Sequence, residues 1–415
     1  MKKGKQWVAL ILIVIMTISQ AAYGQEIVPQ TTETESMTEE SAESMAAETE
    51  TEQQRISESQ ESVSETESIS ETESISETEE KSETEISETW ETETEDVKEA
   101  SNLVYGDFEY TISGSEATIA KYNGTASKVS VPSVIDQYEV TEIGNRAFEG
   151  CTTLQELILP ESIKTLGYCM IKGTGISSIT IPKNVKKSAW DSVYNDGYYG
   201  YYGALAGAGY LKEVVFESGM TEIPAYILAS GGYESAVQKI VIPKTVKEIG
   251  RYAFYKCTGI TEIGLPEELT EIGNDAFSKC TGLKNVDIPK KVSKIWESAF
   301  SDCTGLKSVT MTYNEALTSE GKPYNLEIGT EAFWNCSELE TVQLSENVTK
   351  IGNYAFEGCT TLKELVLPES TEELGYRIIK GTGISSITIP KNVKKSAWDS
   401  VYNDGYYGYY GALAG

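Results

Sequence analysis

The residue types that most often carry catalysis are unevenly supplied in this chain. Histidine is absent from all 415 residues. That removes Ser-His-Asp and Cys-His nucleophile systems and every imidazole metal site. Seven cysteines remain, and a disulfide framework or a thiolate cluster is the chemistry they could do. Six of them, Cys151, Cys257, Cys280, Cys303, Cys336 and Cys359, close the same motif, Ala-Phe-x-x-Cys. A residue that recurs with a repeat's own period reads as a packing slot, and Ala208 fills that slot in one copy, which a covalent partner would not allow. The expectation is a structural ladder of reduced, inward-facing thiols. Cys169 stands outside this register, is replaced by Arg377 in a second copy, and is expected to be peripheral. Carboxylates are plentiful, but no pair is set apart by its spacing. The chain therefore reads as a non-enzyme with no metal site and no cofactor.

Tyrosine is the other residue type that could do something here. Tyr194, Tyr198, Tyr199, Tyr201 and Tyr202 crowd into a glycine-containing insertion at 188–203, and Tyr402, Tyr406, Tyr407, Tyr409 and Tyr410 repeat them. Tyrosine offers rigid, amphipathic contact area at low entropic cost, a composition typical of recognition surfaces. The insertion reads as a mobile loop, and its ten tyrosines are the candidate binding residues; the competing reading is that they only cover the coil beneath. Residues 145–207 recur at 353–415 with offset 208 and eight differences, and 171–207 are identical to 379–415. A recent duplication preserves everything, so this identity carries no functional weight. A second insertion holds the polar stretch Tyr313 to Asn325.

The elements that must position these residues follow from the repeat. Three residues after each ladder cysteine an apolar residue opens an L-x-x-L-x-L pattern, as in Leu154, Leu157 and Leu159 before Pro160. Strand-opening positions are Leu154, Ile176, Leu211, Val237, Ile260, Leu283, Leu306, Leu339, Leu362 and Ile384, most often 23 residues apart. Alternation turns one face of each short strand inward, and proline, which cannot donate to the next ladder bond, ends it. An Ile-Gly segment such as Ile272-Gly273 turns the chain back along the opposite side, and Ala-Phe packs inward. One coil cannot bury its own core, so coils stack into a parallel sheet with strands about 4.8 Å apart. The fold class is a β-rich repeat solenoid of the α/β type, with 10 or 11 coils of about 23 residues. Thr180, Val241, Gly264, Asp287, Thr310, Gln343 and Thr388 should face outward on that sheet.

The motif I-G-x-x-A-F-x-x-C-x-x-L-x-x-L-x-L-P resembles the BspA-like leucine-rich repeats of bacterial and protist surface proteins, over residues 125–415. The segments Phe108–Ile112 and Ala117–Tyr122 resemble the β-hairpin that caps such solenoids, placing a cap at 101–124. The resemblance implies adhesion to matrix proteins, other cells or surfaces, while the signature residues build the core and name no ligand.

The flanking segments supply the setting. Residues 1–24 combine a basic start, a short apolar run and small residues at Ala22 and Gly24, the pattern of a cleaved export signal. Residues 25–100 hold 26 acids against three bases. Such low hydrophobicity with high charge predicts a disordered Glu/Ser/Thr-rich arm. Of the net charge of −30, this arm contributes −23 and 1–24 contributes +3, leaving −10 for 101–415. That balance argues against nucleic acid, whose phosphates require a basic surface. After signal cleavage no membrane insertion is expected. The first tyrosine block continues into further coils whereas its copy ends at Gly415, so a solenoid cut short at that end is expected. The reading is a secreted or cell-surface bacterial scaffold that adheres to a protein or surface ligand. Its alternatives are a structural spacer displaying another domain, or the targeting region of a larger surface enzyme.

Overall fold

The computed structural model describes residues 102–195, 198–313, 325–396, 399–403, 406–410 and Leu413. The chain divides into two units, Met1–Thr92 and Glu93–Gly415, and the described residues all belong to the second. The expected export signal, the acidic arm and most of the Tyr313–Asn325 insertion lie outside the described residues.

The described part is a β-solenoid of about 11 turns with parallel sheets. No helix occurs among the described residues, so none is long and apolar enough to cross a membrane. The side opposite the L-x-x-L-x-L strands is itself β-structure. There the return segments form an eight-stranded parallel sheet running from Glu222–Ile223 through Glu271–Ile272 and Leu326–Ile328 to Lys395–Ser396. Ile223, Ile249, Ile272, Ile295, Ile328 and Ile351 stand in register along it, and all six are buried. Glycine follows four of the six, Ile249, Ile272, Ile328 and Ile351, and at each the preceding coil's backbone occupies the space of a side chain. A Cβ on Gly273 would lie 2.7 Å from the Ile249 carbonyl oxygen and 2.8 Å from the Arg251 nitrogen.

The L-x-x-L-x-L strands form parallel ladders in separate pieces. Lys128–Ser130 pairs with Glu156–Ile158; Glu213–Phe216 lies between Ser178–Ile181 and Lys239–Val241; Ser308–Met311 lies between Asn285–Ile288 and Thr341–Gln343. The longest sheet therefore runs where the sequence led us to expect only a return. One break falls at Ile263-Gly264-Leu265, where glycine in a strand interior offers no side chain to pack and weakens pairing. A Cβ at Gly264 would meet nothing. Thr180, Val241, Gly264, Asp287, Gln343 and Thr388 are exposed and Thr310 half-buried, as their place in the alternation requires.

The third side carries the Ala-Phe turns. The amides of Phe254, Phe277 and Phe300 donate to the carbonyls of Ala276, Ala299 and Ala332 in the following coil, each at 2.8 Å. Every such turn holds two left-handed residues, for example Asp275 (φ 53°) with Lys279 (φ 62°), and Glu331 (φ 55°) with Asn335 (φ 56°). Left-handed backbone costs a residue other than glycine about 1–2 kcal/mol, less for Asn and Asp; the inter-coil ladder holds it there.

Inside, phenylalanine rings stack coil upon coil. Phe277–Phe300, Phe300–Phe333 and Phe333–Phe356 have centroids 5.0, 5.3 and 5.4 Å apart, each pair within 1° of parallel. The cap continues this column through Phe108, Tyr122 and Phe148, at 5.2 and 5.5 Å. It contains the expected hairpin, Phe108–Ser113 with Glu116–Tyr122, and a further antiparallel strand, Leu103–Tyr105. Glu116–Tyr122 pairs in parallel with Tyr138–Ile143, so the cap covers the first coil through main-chain bonds as well as rings.

Candidate binding surface

All seven cysteines are free thiols, buried except for the half-buried Cys151. The ladder cysteines do more than fill a small slot. Sγ of Cys280, Cys303, Cys336 and Cys359 donates to the carbonyls of Phe254, Phe277, Phe300 and Phe333 in the preceding coil, at 3.1–3.2 Å. Burial pushes the Cys257 and Cys303 thiols up to about 12, which makes them poor nucleophiles at neutral pH. Thr174 takes the slot in one coil, its hydroxyl donating to the Ile171 carbonyl at 2.8 Å. Cys169, expected to be peripheral, is buried instead. It occupies a left-handed position (φ 52°) equivalent to Arg377 (φ 53°), and burial raises its thiol to about 11. Among the described residues no group of acids and cysteines could hold a metal ion.

The tyrosine insertion is an antiparallel hairpin, not the loop expected from its composition. Asp191–Asn195 pairs with Tyr198–Tyr202, setting Tyr194 opposite Tyr199 and Asn195 opposite Tyr198. Asp399–Asn403 and Tyr406–Tyr410 repeat that register, with Tyr402 opposite Tyr407. The missed signal was Asp196-Gly197 between the two runs, the dipeptide favoured where two strands are joined by two residues. For Tyr194, Tyr198, Tyr199, Tyr402, Tyr406, Tyr407, Tyr409 and Tyr410 the strand positions alone are described.

Tyr201 and Tyr202 lie against the neighbouring coils. The Tyr201 ring sits 4.6 Å from Tyr252, 5.6 Å from Trp190, 5.7 Å from Tyr226 and 6.2 Å from Tyr255. Beneath it Trp190, Tyr226 and Tyr252 stack at 4.9 and 5.1 Å, with planes 16° and 7° apart. Tyr202 meets Tyr233 at 5.1 Å and bridges Ser230 through the main chain. The fit leaves no room at Gly203, where a Cβ would fall 1.5 Å from the Tyr226 carbonyl oxygen. Burial pushes the Tyr226, Tyr252 and Tyr255 phenols up. It also raises the Asp275 carboxyl to about 6, against the lowering effect of its hydrogen bonds with Tyr252 and Ser278.

The structure thus divides the candidate tyrosines. It makes Tyr201 and Tyr202 part of a packed aromatic cluster, and places Tyr194, Tyr198 and Tyr199 toward the joined end of the hairpin. Trp190, Tyr226, Tyr233, Tyr252 and Tyr255 were not singled out by sequence. Tyr226 and Tyr252 fill the same repeat position as Cys169, two residues past the return strand's turn, and that shared frame was the available clue.

Such an architecture, a stack of coils whose core residues recur with a fixed period, defines a leucine-rich-repeat scaffold. The chain belongs to the family of BspA type leucine-rich repeat regions, matched in six copies over residues 122–196, 221–322 and 326–403. No curated protein sequence matches it. Among solved structures it is similar to a leucine-rich cell surface protein from Faecalibacterium prausnitzii, at 21% identity over 70% of this chain and 89% of that one, TM-score 0.34. It is also similar to the leucine-rich repeat protein of T. pallidum, at 24% identity over 63% and 91%, TM-score 0.32. A third is the pneumococcal vaccine antigen PcpA, at 18% identity over 71% and 82%, TM-score 0.38.

Proposed function

We propose that the chain is an exported, surface-displayed binding scaffold that adheres to a protein ligand through its tyrosine hairpins. The observation that supports this reading is that the tyrosine-rich insertion is a built hairpin, fixed to the solenoid through Tyr201 and Tyr202, with Tyr194, Tyr198 and Tyr199 toward its joined end. Two copies of one contact raise avidity when both can engage, and aromatic anchors commonly supply most of an interface's energy. The outward sheet positions support the assignment by default, since they are mostly small and uncharged. Export rests on the 1–24 pattern, and bacterial surface display on family membership.

The test compares adhesion of the full chain to extracellular-matrix and cell-surface preparations. Tyr194, Tyr198 and Tyr199 are replaced by serine in one variant, Tyr402, Tyr406 and Tyr407 in a second, and all six in a third. Tyr201 and Tyr202 are left intact because the first hairpin packs through them. Each single-hairpin variant should weaken adhesion and the combined variant should abolish it, with little change in high salt because the contact is not ionic. A folded combined variant that adheres as wild type would refute the reading.

A further inference from the structure

The outermost strand of the cap, Leu103–Tyr105, ends its sheet without a guard. Among the described residues it pairs on one side only, with Phe108–Ser113. Its other edge therefore presents main-chain donors and acceptors with no strand beside them, a ready template for pairing. All three residues are large, hydrophobic and exposed, Leu103 by 42%, Val104 by 69% and Tyr105 by 45%. The strand holds neither lysine nor proline, the residues that commonly protect a sheet edge.

The register defines what an added strand would meet. Residues directly opposite one another share a face; Leu103 stands opposite Tyr110, and Tyr105 opposite Phe108. Tyr110 is buried, and Phe108 packs on Tyr122 at 5.2 Å in the ring column. The apolar face of the cap thus runs one strand past its cover. Val104 lies on the other face, opposite Glu109, whose carboxylate accepts from the Asn102 and Asn123 amides at 2.9 and 2.7 Å. A strand laid here needs hydrophobic residues at alternate positions, over Leu103 and Tyr105, and polar residues between them. Charge then selects the occupant. Residues 93–124 carry seven acids against Lys98 and Lys121. A second copy pairing edge to edge would bring two chains of −30 together, and an acidic peptide meets the same repulsion. A cationic strand meets attraction.

We propose that the free edge of Leu103–Tyr105 is a docking site for an extended cationic peptide. The peptide adds a strand to the cap, its hydrophobic residues covering Leu103 and Tyr105 and its lysines or arginines alternating with them. Main-chain pairing supplies affinity and the alternate side chains supply selectivity, while the chain's negative charge speeds the encounter. The proposal goes beyond the adhesion reading and does not depend on the tyrosine hairpins.

The test titrates the full chain, at physiological ionic strength, with a heptapeptide alternating lysine and valine. Its comparators are the same peptide N-methylated throughout, which keeps the charge but cannot donate to an edge, and a heptapeptide alternating glutamate and valine. The lysine peptide should bind, its N-methylated form at least about tenfold more weakly, a difference of about 1.4 kcal/mol, and the glutamate peptide not at all. Hydrogen exchange should slow over residues 102–106 on binding and stay unchanged over the hairpin at 191–202. Val104→Lys should weaken binding of the lysine peptide about tenfold. Val104→Glu loses the same apolar contact with the opposite charge and should bind that peptide at least as tightly as wild type. Both substitutions fall on a side chain 69% exposed, so both variants should fold. Sedimentation should find the wild-type chain monomeric. Five results would overturn the proposal: no binding of the lysine peptide, equal binding of its N-methylated form, unchanged exchange over 102–106, equal effects of the two Val104 substitutions, or a dimer that Val104→Lys dissolves, which would assign the edge to a second copy.

Discussion

Replacing Phe277 separates the contribution of apolar burial from that of ring stacking. Its side chain is fully buried, with Phe254 at 5.1 Å and Phe300 at 5.0 Å on either side. Phe277→Ala removes the ring and leaves a cavity between two coils, a change that costs about 3–5 kcal/mol in a well-packed core. Phe277→Leu keeps most of the apolar volume, and Leu205 and Leu228 fill the same slot in other coils while staying buried. Leucine gives up two ring–ring contacts, each worth about 0.5–1.5 kcal/mol beyond buried area, so its cost should be about 1–3 kcal/mol. Long repeat arrays lose two-state behaviour, so the assay is native-state hydrogen exchange by mass spectrometry alongside urea unfolding. The informative amides are those of Phe254 and Phe277, each bonded to the following coil at 2.8 Å. A leucine variant within about 0.3 kcal/mol of wild type would refute the claim that the stacked column contributes beyond its volume.

Four further outcomes are expected. Alkylation of the native chain at pH 8 should leave Cys257 and Cys303 unlabelled, since burial raises both thiols to about 12; denaturant without reductant should expose them, and disulfide-linked peptides would contradict the ladder. Cys280→Ala should cost about 1–2 kcal/mol by chemical denaturation, because the Phe254 carbonyl keeps the Cys257 amide as a donor at 3.0 Å. Gly273→Ala should lower the melting temperature by forcing two coils apart, whereas Gly264→Ala, with nothing near its Cβ, should be neutral or stabilise by up to about 1 kcal/mol; equal effects would refute the close-approach argument. Asp275 rises from the usual 3.8 to about 6 on folding, so the folded state holds its proton more tightly and this group's contribution to stability declines as pH rises from 4 through 6. Asp275→Asn should flatten that part of the stability–pH curve, and an unchanged curve would show that the carboxyl is not held protonated.

The sequence made the core legible because its residues recur in a fixed frame. Ala-Phe-x-x-Cys located the stacked rings, and the alternation at Leu154, Leu157 and Leu159 marked which strand positions face in. The longest sheet was not legible. Its strands are mostly two residues long, as in Glu271-Ile272, too short for alternation to show, and pairing with neighbouring coils alone makes them strands. The cysteine-to-carbonyl bond was hidden because a thiol reads as a small apolar group; Thr174 in the same slot hinted at a donor. The hairpin at 191–202 was hidden because Tyr-Tyr-Gly-Tyr-Tyr has no apolar–polar alternation. The aromatic cluster joins Trp190 to Tyr255 across insertions that break the period, and stacking of coils, not sequence proximity, assembles it.

Among the described residues, the side-chain hydrogen bonds that end on a main-chain carbonyl of another coil have a common direction. Besides the cysteine thiols, the hydroxyls of Ser162, Thr245, Thr270, Ser293 and Ser370 donate to carbonyls 22 to 25 positions earlier in the chain. Asn184 and Asn392 do the same, to Glu161 and Glu369. Through these side chains each coil completes carbonyls of the coil made before it. For a polypeptide that emerges from its amino terminus, this gives assembly an arrow: the cap provides the first template, and every arriving turn saturates the polar groups its predecessor left open. Growth of this kind resembles extension of a crystal from a seeded face. A coil-by-coil series of carboxyl-terminal truncations should therefore fold up to its penultimate turn, whereas removing the cap should compromise the coils that follow it.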